Sequence, residues 1–175
     1  MKTSVLIPTY NSAKTIEATL ESVFSQTLPA DEILIMDDGS TDNTVVLLSR
    51  HVPRITLFQQ RNGGVAQARN VLVERARGDL LAFLDHDDIW HAEYLATQQK
   101  RFADHPDAVG FFTAHDNFLG HGNYNWKNDS LDDQNRAEII DALDFLHQYH
   151  RAIGKFASAW ILPRTSDGGQ YESRK

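Results

Sequence analysis

The chain has 175 residues, of which 41% are hydrophobic and 23% charged, a composition typical of one globular domain with a sizeable core. Its net charge of −7 argues against a nucleic-acid backbone as the main partner, because phosphate binding needs a basic face. The absence of cysteine excludes disulfides, zinc–thiolate sites and thiol nucleophiles. The apolar run at the start is too short for a signal sequence or a membrane span, which predicts a cytoplasmic chain and leaves association with the inner face of the membrane open.

The first third of the chain alternates apolar runs of strand length with helical patterns. A strand is predicted at Val5–Ile7 and is expected to end at Pro8, because proline has no N–H to donate to a sheet. Asn11 or Ser12 is expected to cap a helix whose apolar residues recur every three or four positions. That apolar face consists of Ile16, Leu20, Val23 and Phe24. A strand at 33–36, the turn "DDGSTDNT" with Thr41 or Asp42 as the next cap, a helix at 45–48 and a strand at 55–58 complete this part.

The same alternation continues to about residue 115 and then weakens. Further elements are predicted in the order tight turn 62–64, helix 65–76, strand 80–84, helix 93–102, strand 108–113, helix 137–149 and strand 156–162. The end of the chain, 166–175, is expected to be a disordered tail. Strands that alternate with helices predict an α/β fold, with a mostly parallel sheet covered by helices on both faces.

Three polar turns follow three of the predicted strands, namely "PTYN", "MDDGS" and "LDHDD". The carboxyl ends of parallel strands share one edge of the sheet, where ligands of such folds bind. The aspartates that this edge is expected to gather are Asp37, Asp38, Asp85, Asp87 and Asp88.

Two of these aspartates point to chemistry rather than to turn formation. An aspartate after a strand is commonly a turn or cap residue, which accounts for Asp42, Asp88 and Asp37. Asp85 and Asp87 are two apart, so on an extended segment both side chains would face the same way and would repel unless a cation lay between them. A hard divalent ion that also binds a substrate's phosphates fits this pair.

Other acidic or metal-binding sites fit the sequence less well. An EF-hand loop that began at Asp85 would need glycine and glutamate where Trp90 and Ala96 stand. A glycosidase pair flanks a bond from two separate elements, and no Walker, dinucleotide or nucleophile-elbow motif is present. His147 and His150 have no third ligand nearby in sequence, and His86 within the acidic turn is a weak ligand candidate.

Four segments in register resemble the family 2 glycosyltransferases of the GT-A fold. They are "VLIPTYNSAKTIEATLESVFSQT", "EILIMDDGSTDNT", "NGGVAQARN" and "GDLLAFLDHDDIW", and the resemblance covers roughly residues 3 to 113. "DHD" is similar to the family's D-x-D motif, which implies that Asp85 faces the ribose and diphosphate and that Asp87 holds Mg or Mn. "PTYN" resembles the loop under the base, on which Tyr10 would stack.

The resemblance also implies a set of binding residues and a reaction. Asp38 would accept a hydrogen bond from a uracil-type ring N–H, and "NGG" with Arg69 would line the nucleotide pocket. The implied nucleotide-sugar-binding residues are Pro8, Thr9, Tyr10, Asp38, Asn62, Gly63, Arg69 and Asp85, with Asp87 for the metal. The implied partners are a nucleoside-diphosphate sugar of the UDP type and a saccharide or glycolipid acceptor. The sugar would pass to an acceptor hydroxyl with inversion, in polysaccharide or glycoconjugate synthesis.

The likeness breaks down towards the end of the chain. The family's catalytic base usually lies in an acidic pair after a "G-G-F" segment, whereas "DGGQYESRK" here has Gln170 after the glycines. Asp116, Asp132 and Asp133 are the remaining candidates for the base, and none lies in a matching motif. The chain is therefore expected to comprise a nucleotide-sugar-binding half at 1–115, an incomplete acceptor-side half at 116–165 and the tail at 166–175.

Two other functions stay open at this point. One is a protein that binds the nucleotide sugar without transferring it. Because the family's catalytic base is not found, we expect this chain to bind the donor but to transfer the sugar poorly or not at all. The other is a nucleotidyltransferase, which would share the layered fold and the acidic metal site but lacks a Gly- and Lys-rich loop near the first strand. Turnover of donor that requires both metal and acceptor separates the enzyme from the binding protein.

Overall fold

The computed structural model describes residues 1–108, 110–112 and 160–164. Within these ranges the chain forms four helices and six strands. In chain order they are β1 (Thr3–Thr9), α1 (Ile16–Phe24), β2 (Glu32–Asp37), α2 (Thr44–Ser49), β3 (Thr56–Gln59), α3 (Val65–Arg75), β4 (Leu80–Phe83), α4 (Tyr94–Asp104), β5 (Phe111–Phe112) and β6 (Trp160–Pro163). None of the helices in these ranges is both long enough and apolar enough to cross a membrane.

The strands form one sheet in the order β3-β2-β1-β4-β6-β5. β1 pairs in parallel with β2 and β4, and β2 with β3. β6 runs antiparallel to both β4 and β5, so β5 runs in the same direction as β4. The predicted mostly parallel sheet is confirmed, with β6 as the one reversed strand among those described.

Alternating residues of the strands face two separate apolar layers. Val5 and Ile7 of β1 pack with residues of α1, α2 and α4, whereas Leu6 packs with Ala68 and Leu72 of α3 on the other face. This period of two is expected of a sheet that is buried on both sides. Fully burying one such aliphatic side chain stabilises the fold by about 1.5–3 kcal/mol. The predicted covering of both faces by helices is confirmed.

The prediction that Pro8 ends the first strand is wrong, since β1 continues to Thr9. Residues two apart in a strand direct their backbone groups to the same neighbour, and the Leu6 carbonyl accepts a hydrogen bond from Leu84 N. Pro8 therefore faces the β4 side, where the ladder has already ended at the Leu6–Phe83 pair. The missing N–H is tolerated there because no strand remains to pair with it.

The strand predictions near the end of the chain were only partly correct. Within the predicted strand 108–113, Phe111–Phe112 forms β5, whereas Ala108 lies in a turn in which its N–H donates to the His105 carbonyl at 3.1 Å. Residues 109 and 113 lie outside the described residues. The predicted strand 156–162 overlaps β6, which extends to Pro163, and its residues 156–159 lie outside the described residues. The predicted helix at 137–149 and tail at 166–175 lie outside the described residues.

Polar contacts tie the starts of three strands together at the edge of the sheet opposite the acidic turns. The Ser4 hydroxyl donates to Glu32 Oε1 at 2.5 Å and accepts from Gly78 N at 2.8 Å. A Cβ at Gly78 would lie 2.6 Å from both the amide nitrogen and the Oγ of Ser4. Only glycine fits at this close approach of the α3–β4 connection to β1.

Candidate functional site

The polar turns after β1, β2 and β4 lie at one edge of the sheet, because these strands are parallel neighbours. The loop after β1 carries Tyr10, whose side chain is 44% exposed although it follows a fully buried strand. Thr9, just before it, is buried, and its hydroxyl hydrogen-bonds the Ser12 hydroxyl. Tyr10 is therefore an exposed aromatic ring on an internally bonded loop.

The loop after β1 is fastened to the loop after β2 by backbone and side-chain hydrogen bonds. Asn11, at φ +50°, accepts from Thr41 N at 2.8 Å through Oδ1, and its own N–H donates to Ser40 Oγ at 2.8 Å. Ser12 N donates to Thr44 Oγ1 at 2.8 Å. The predicted caps of α1 were therefore wrong: Asn11 and Ser12 bind the neighbouring loop, and the helix begins after Thr15.

Asp42 belongs to the same junction. Its Oδ2 accepts from Ala13 N at 3.1 Å, and its Oδ1 accepts from Thr44 N at 3.0 Å and from the Thr44 hydroxyl. The Thr44 hydroxyl is the largest cause of a lowered pKa at the Asp42 carboxyl. The predicted turn role of Asp42 is confirmed, although α2 begins after Asn43 and not after Asp42 or Thr41.

Asp38 is buried and holds the "NGG" turn in place. Its Oδ1 accepts from Gln60 Nε2 at 2.7 Å and from Gly63 N at 2.9 Å, and its Oδ2 accepts from Gly64 N at 2.8 Å. Two backbone N–H groups of one turn thus converge on a single carboxylate. Asp38 fixes the entry into α3 whether or not it also contacts a ligand, and Asn62 and Gly63 are exposed beside it.

The β2 end also brings in Asp37, which is buried and forms a tight turn. Its Oδ2 accepts from Ser40 N at 3.1 Å. Gly39 adopts φ +80°, and a Cβ there would lie 2.9 Å from Asn62 N. The predicted turn role of Asp37 is therefore confirmed, and glycine lets the loop after β2 approach the "NGG" turn closely.

The acidic segment after β4 forms a turn, whereas the sequence prediction assumed an extended strand end. Asp88 N donates to the Asp85 carbonyl at 3.2 Å, and His86 and Asp87 lie in the turn between them. The argument that Asp85 and Asp87 face the same side because the chain is extended is therefore wrong. Asp87 is exposed, and Asp85 is partly buried.

Asp85 has a positive partner within the chain. Arg69 Nη2 of α3 donates to Asp85 Oδ1 at 2.6 Å, and the two side chains are 14% and 33% exposed. This charge-assisted bond joins the "ARN" segment to the "DHD" turn across the sheet edge. The structure thus brings together two of the predicted nucleotide-binding residues, and Arg69 accounts for part of the tolerance of crowded carboxylates.

The carboxylates at this edge suit a metal ion that binds together with a substrate better than they suit a metal ion held by protein ligands alone. No group of three or more His, Asp or Glu side chains able to hold a metal occurs in the described ranges. Asp87 offers an exposed carboxylate, and Mg²⁺ is typically bound through one or two carboxylates plus waters and substrate phosphates. The turn therefore fits a divalent ion shared with a diphosphate.

The sequence reasoning missed two polar residues, Ser22 of α1 and Gln26 just after its end, that bind the segment after the acidic turn. Gln26 Nε2 donates to the His91 carbonyl at 2.7 Å, and Gln26 Oε1 accepts from Leu95 N at 2.9 Å. Ser22 Oγ accepts from Trp90 N at 3.2 Å. Ser22 and Gln26 are four apart and buried, so polar residues at helical spacing beside the apolar face were the available signal.

Several predicted residues lie outside the described residues. They are Asp116, Asp132, Asp133, His147 and His150. The remaining predicted residues fall into three groups: Pro8, Thr9, Tyr10, Asp38, Asp85 and Asp87 lie at the carboxyl edge of β1, β2 and β4, Asn62 and Gly63 lie in the turn that leads into α3, and Arg69 lies within α3.

Comparison with known proteins supports the same fold and family. The profile of "Glycosyl transferase family 2" matches residues 4–162. The chain is 42% identical over 97 residues to the Escherichia coli enzyme WfgD, named as a UDP-Glc:alpha-D-GlcNAc-diphosphoundecaprenol beta-1,3-glucosyltransferase, and the match covers 54% of this chain and 38% of WfgD.

Two solved structures have a similar fold. S. aureus TarS 1-349 in complex with UDP is 33% identical, with a TM-score of 0.59 over 63% of this chain and 34% of that chain. The mannosyltransferase PcManGT from Pyrobaculum calidifontis, in complex with GDP-Man and Mn2+, is 30% identical, with a TM-score of 0.56 over 62% of this chain and 34% of that chain. The chain thus spans less than half the length of WfgD and of these two chains. Because the family profile matches most of its residues, the chain belongs to glycosyl transferase family 2.

Proposed function

We propose that this chain binds a nucleoside-diphosphate sugar at the carboxyl edge of β1, β2 and β4 and transfers the sugar to an acceptor hydroxyl. The observation that carries the proposal is the convergence of three connected turns at that edge. They bring an exposed aromatic ring, a buried carboxylate and an acidic turn to one place, through Tyr10, Asp38 and Asp85–Asp88. TarS and PcManGT, which match this region, were solved with a nucleotide or a nucleotide sugar.

We assign the nucleobase of the donor to the turns after β1 and β2. Tyr10 offers its exposed ring for stacking, and the hydrogen bonds of Asn11 and Ser12 hold the loop that carries it. Asp38 offers a carboxylate to a ring N–H, which favours a uracil-type base. A buried acceptor discriminates strongly, because a base without the matching donor leaves it unpaired. The UDP complex of TarS and the UDP-Glc donor of WfgD support this preference.

The ribose and diphosphate are assigned to the acidic turn. Arg69 holds Asp85 in a fixed position through the 2.6 Å bond, so Asp85 can accept hydrogen bonds from the ribose hydroxyls without a large rearrangement. Asp87 would hold Mg or Mn, and such an ion supplies positive charge that stabilises the departing nucleoside diphosphate. The Mn2+ bound to PcManGT with its donor supports a divalent ion of this kind.

The transfer itself breaks the bond between the anomeric carbon and the phosphate oxygen. The acceptor hydroxyl attacks that carbon from the opposite face, which inverts its configuration, and its proton passes to a carboxylate base. We assign this catalytic base to Asp116. The acceptor is a saccharide or glycolipid hydroxyl, in keeping with the lipid-linked sugar acceptor named for WfgD.

The test is metal-dependent binding of UDP to the wild type and to Asp87→Asn, measured by calorimetry with and without Mn²⁺. We expect Mn²⁺ to strengthen UDP binding by the wild type and Asp87→Asn to lose about tenfold or more of that gain. Asp104→Asn, which changes an exposed aspartate at the end of α4, is the matched control. Equal Mn²⁺ dependence in all three proteins would disprove the assignment of Asp87.

A second assay separates a transferring enzyme from a protein that only binds the donor. Release of nucleoside diphosphate is followed for a panel of UDP- and GDP-sugars, with and without saccharide and glycolipid acceptors. An enzyme releases diphosphate faster when an acceptor and Mn²⁺ are both present. Donor binding without such release, across the panel, would favour the binding protein.

A further inference from the structure

The position of Asp87 depends on the backbone of its turn. Within the described residues, no hydrogen bond or ion pair involves the exposed Asp87 side chain, whereas Asp85 is held by Arg69. A carboxylate that no side chain orients takes its direction from the backbone that carries it. Whatever fixes the turn between the two carboxylates therefore fixes the placement of Asp87.

The contact that fixes this backbone comes from α1. Thr19 Oγ1 donates a hydrogen bond to the carbonyl of His86 at 2.9 Å, across 67 positions of sequence. Its distance to the Thr15 carbonyl within the helix is longer, 3.5 Å. The His86 carbonyl belongs to the peptide unit that leads directly into Asp87. The Thr19 hydroxyl thus binds the peptide group that joins His86 to Asp87, the proposed metal ligand.

The helix that carries Thr19 is fixed by its packing against the core. Ile16 and Leu20, on either side of Thr19, are buried in the core under β1 and β2, and Thr19 itself is 1% exposed. Further along the chain, Ser22 of α1 and Gln26, two residues beyond the end of that helix, bind the backbone at residues 90, 91 and 95. Movement of the acidic turn away from α1 would break a series of hydrogen bonds, of which that of Thr19 lies nearest to Asp87.

We propose that Thr19 is a positioning residue for the metal-binding turn: its hydroxyl holds the His86 carbonyl so that Asp87 is presented to the metal–diphosphate group. The proposal rests on the proposed function, since it takes Asp87 as the metal ligand. It predicts that the metal-dependent part of donor binding depends on a residue that does not touch the donor.

The test uses Thr19→Val, which keeps the shape of the side chain and removes the donor, and Thr19→Ser, which restores the hydroxyl. Losing one hydrogen bond to a partly buried carbonyl should weaken Mn²⁺-dependent UDP binding by about three- to tenfold. Thr19→Ser should recover most of the affinity. Binding of uridine, which has no phosphates, should be the same in all variants, because the base is bound by the loops after β1 and β2.

The matched control is Thr27→Val. Thr27 Oγ1 donates to the Ala92 carbonyl at 3.2 Å, but the Thr27 N–H donates to the same carbonyl at 2.8 Å and remains in the variant. We expect Thr27→Val to bind UDP and Mn²⁺ as the wild type does. A thermal unfolding curve for each variant shows whether Thr19→Val and Thr19→Ser are folded.

A second readout needs neither metal nor nucleotide. In the free protein, amide hydrogen exchange at residues 85–88 should be faster in Thr19→Val than in the wild type or Thr27→Val, since the turn loses its anchor. Unchanged exchange and unchanged Mn²⁺-dependent affinity in Thr19→Val would overturn the role of Thr19 alone. Wild-type protein that binds UDP without any effect of Mn²⁺ would overturn the proposed metal site, and with it this proposal.

Discussion

The guanidinium of Arg69 on α3 and the carboxylate of Asp85 after β4 meet at 2.6 Å at the carboxyl edge of the sheet. Arg69 is only 14% exposed, and Asp85 is followed by two further aspartates within three positions. The pair therefore places a fixed positive charge beside a crowded negative turn. It also couples the helix that follows the "NGG" turn to the segment that we assign to the diphosphate.

Replacing Arg69 should affect both stability and binding. Arg69→Met should lower the free energy of unfolding by about 1–3 kcal/mol, because Asp85 would lose its charged donor in a partly buried position. It should also weaken UDP binding, since the acidic turn would repel the diphosphate more strongly. Urea denaturation and calorimetry measure the two effects. Arg61→Met, which changes an exposed arginine, is the control, and equal losses in both variants would show that the ion pair has no special role.

Asp38 should control the choice of base. Asp38→Asn replaces one acceptor oxygen by a donor, so it should reduce the preference for UDP over ADP and loosen the turn at residues 60–64. Gln60→Leu separates the two effects, because it removes one of the three hydrogen bonds to Asp38 and leaves the carboxylate in place. Calorimetry with UDP and ADP measures the preference. If Gln60→Leu loses the preference as fully as Asp38→Asn does, the carboxylate acts only on the turn.

Tyr94 should make the protein less stable in alkali. Burial raises the pKa of its hydroxyl above the ordinary value of 10.0, so the neutral form is favoured in the folded state. Below that value both states keep the proton and stability is unaffected. Above it the unfolded chain releases the proton first, and the free energy of unfolding should fall by up to about 1.4 kcal/mol per pH unit.

The matched comparison is Tyr94→Phe against Tyr10→Phe, which changes an exposed tyrosine. The Tyr94 hydroxyl has no hydrogen-bond partner within the described ranges, so Tyr94→Phe should leave stability at neutral pH unchanged or slightly raised. It should also reduce the alkaline loss. Urea denaturation at neutral and alkaline pH measures both, and an alkaline loss equal to that of the wild type would contradict the assignment to Tyr94.

Gly78→Ala should destabilise the fold without affecting the nucleotide site. The new Cβ would lie 2.6 Å from Ser4 N, a backbone atom that cannot move without shifting β1, and such overpacking typically costs about 1–3 kcal/mol. Gly63→Ala is the control for stability, since the three atoms nearest to its Cβ all belong to the flexible and exposed side chain of Gln67. Thermal unfolding compares the two. Equal melting temperatures would mean that β1 can adjust at Ser4.

The sequence predicted the first four strands, the four helices and the edge of the sheet at which the polar turns meet, because hydrophobic periodicity records which faces are buried. The sequence prediction failed where a residue's hydrogen-bonding partner lies far away in the chain. Pro8 was expected to end β1, but whether a missing N–H matters depends on where β4 ends. Asn11 and Ser12 have the chemistry of caps, but they bind Ser40 and Thr44 more than 28 positions away.

The candidate site shows the same division. The residue types at the edge were recognisable, and Asp38 and Asp85 follow the ends of β2 and β4. Their roles in binding, and that of Arg69, stay predictions. The contacts between these residues could not be predicted, since the Arg69–Asp85 bond joins a helix to a turn that was expected to be extended. The hydroxyl of Thr19 was overlooked because a buried threonine on an apolar helix face is usually counted as packing.

The reversed strand β6 also sets an order of assembly. The pairing partner of β5 in the sheet is β6, and β6 in turn pairs with β4, about 80 positions earlier in the chain. The β3-β2-β1-β4 part can form from residues synthesised first, through short crossovers. Among the described strands, Phe111–Phe112 pairs with β6, so this pairing forms after residues 160–163 have been made and across a much longer sequence separation, which is entropically slower to close. The β3-β2-β1-β4 part, to which we assign the nucleotide, can therefore form on a nascent chain before β6 completes the described sheet.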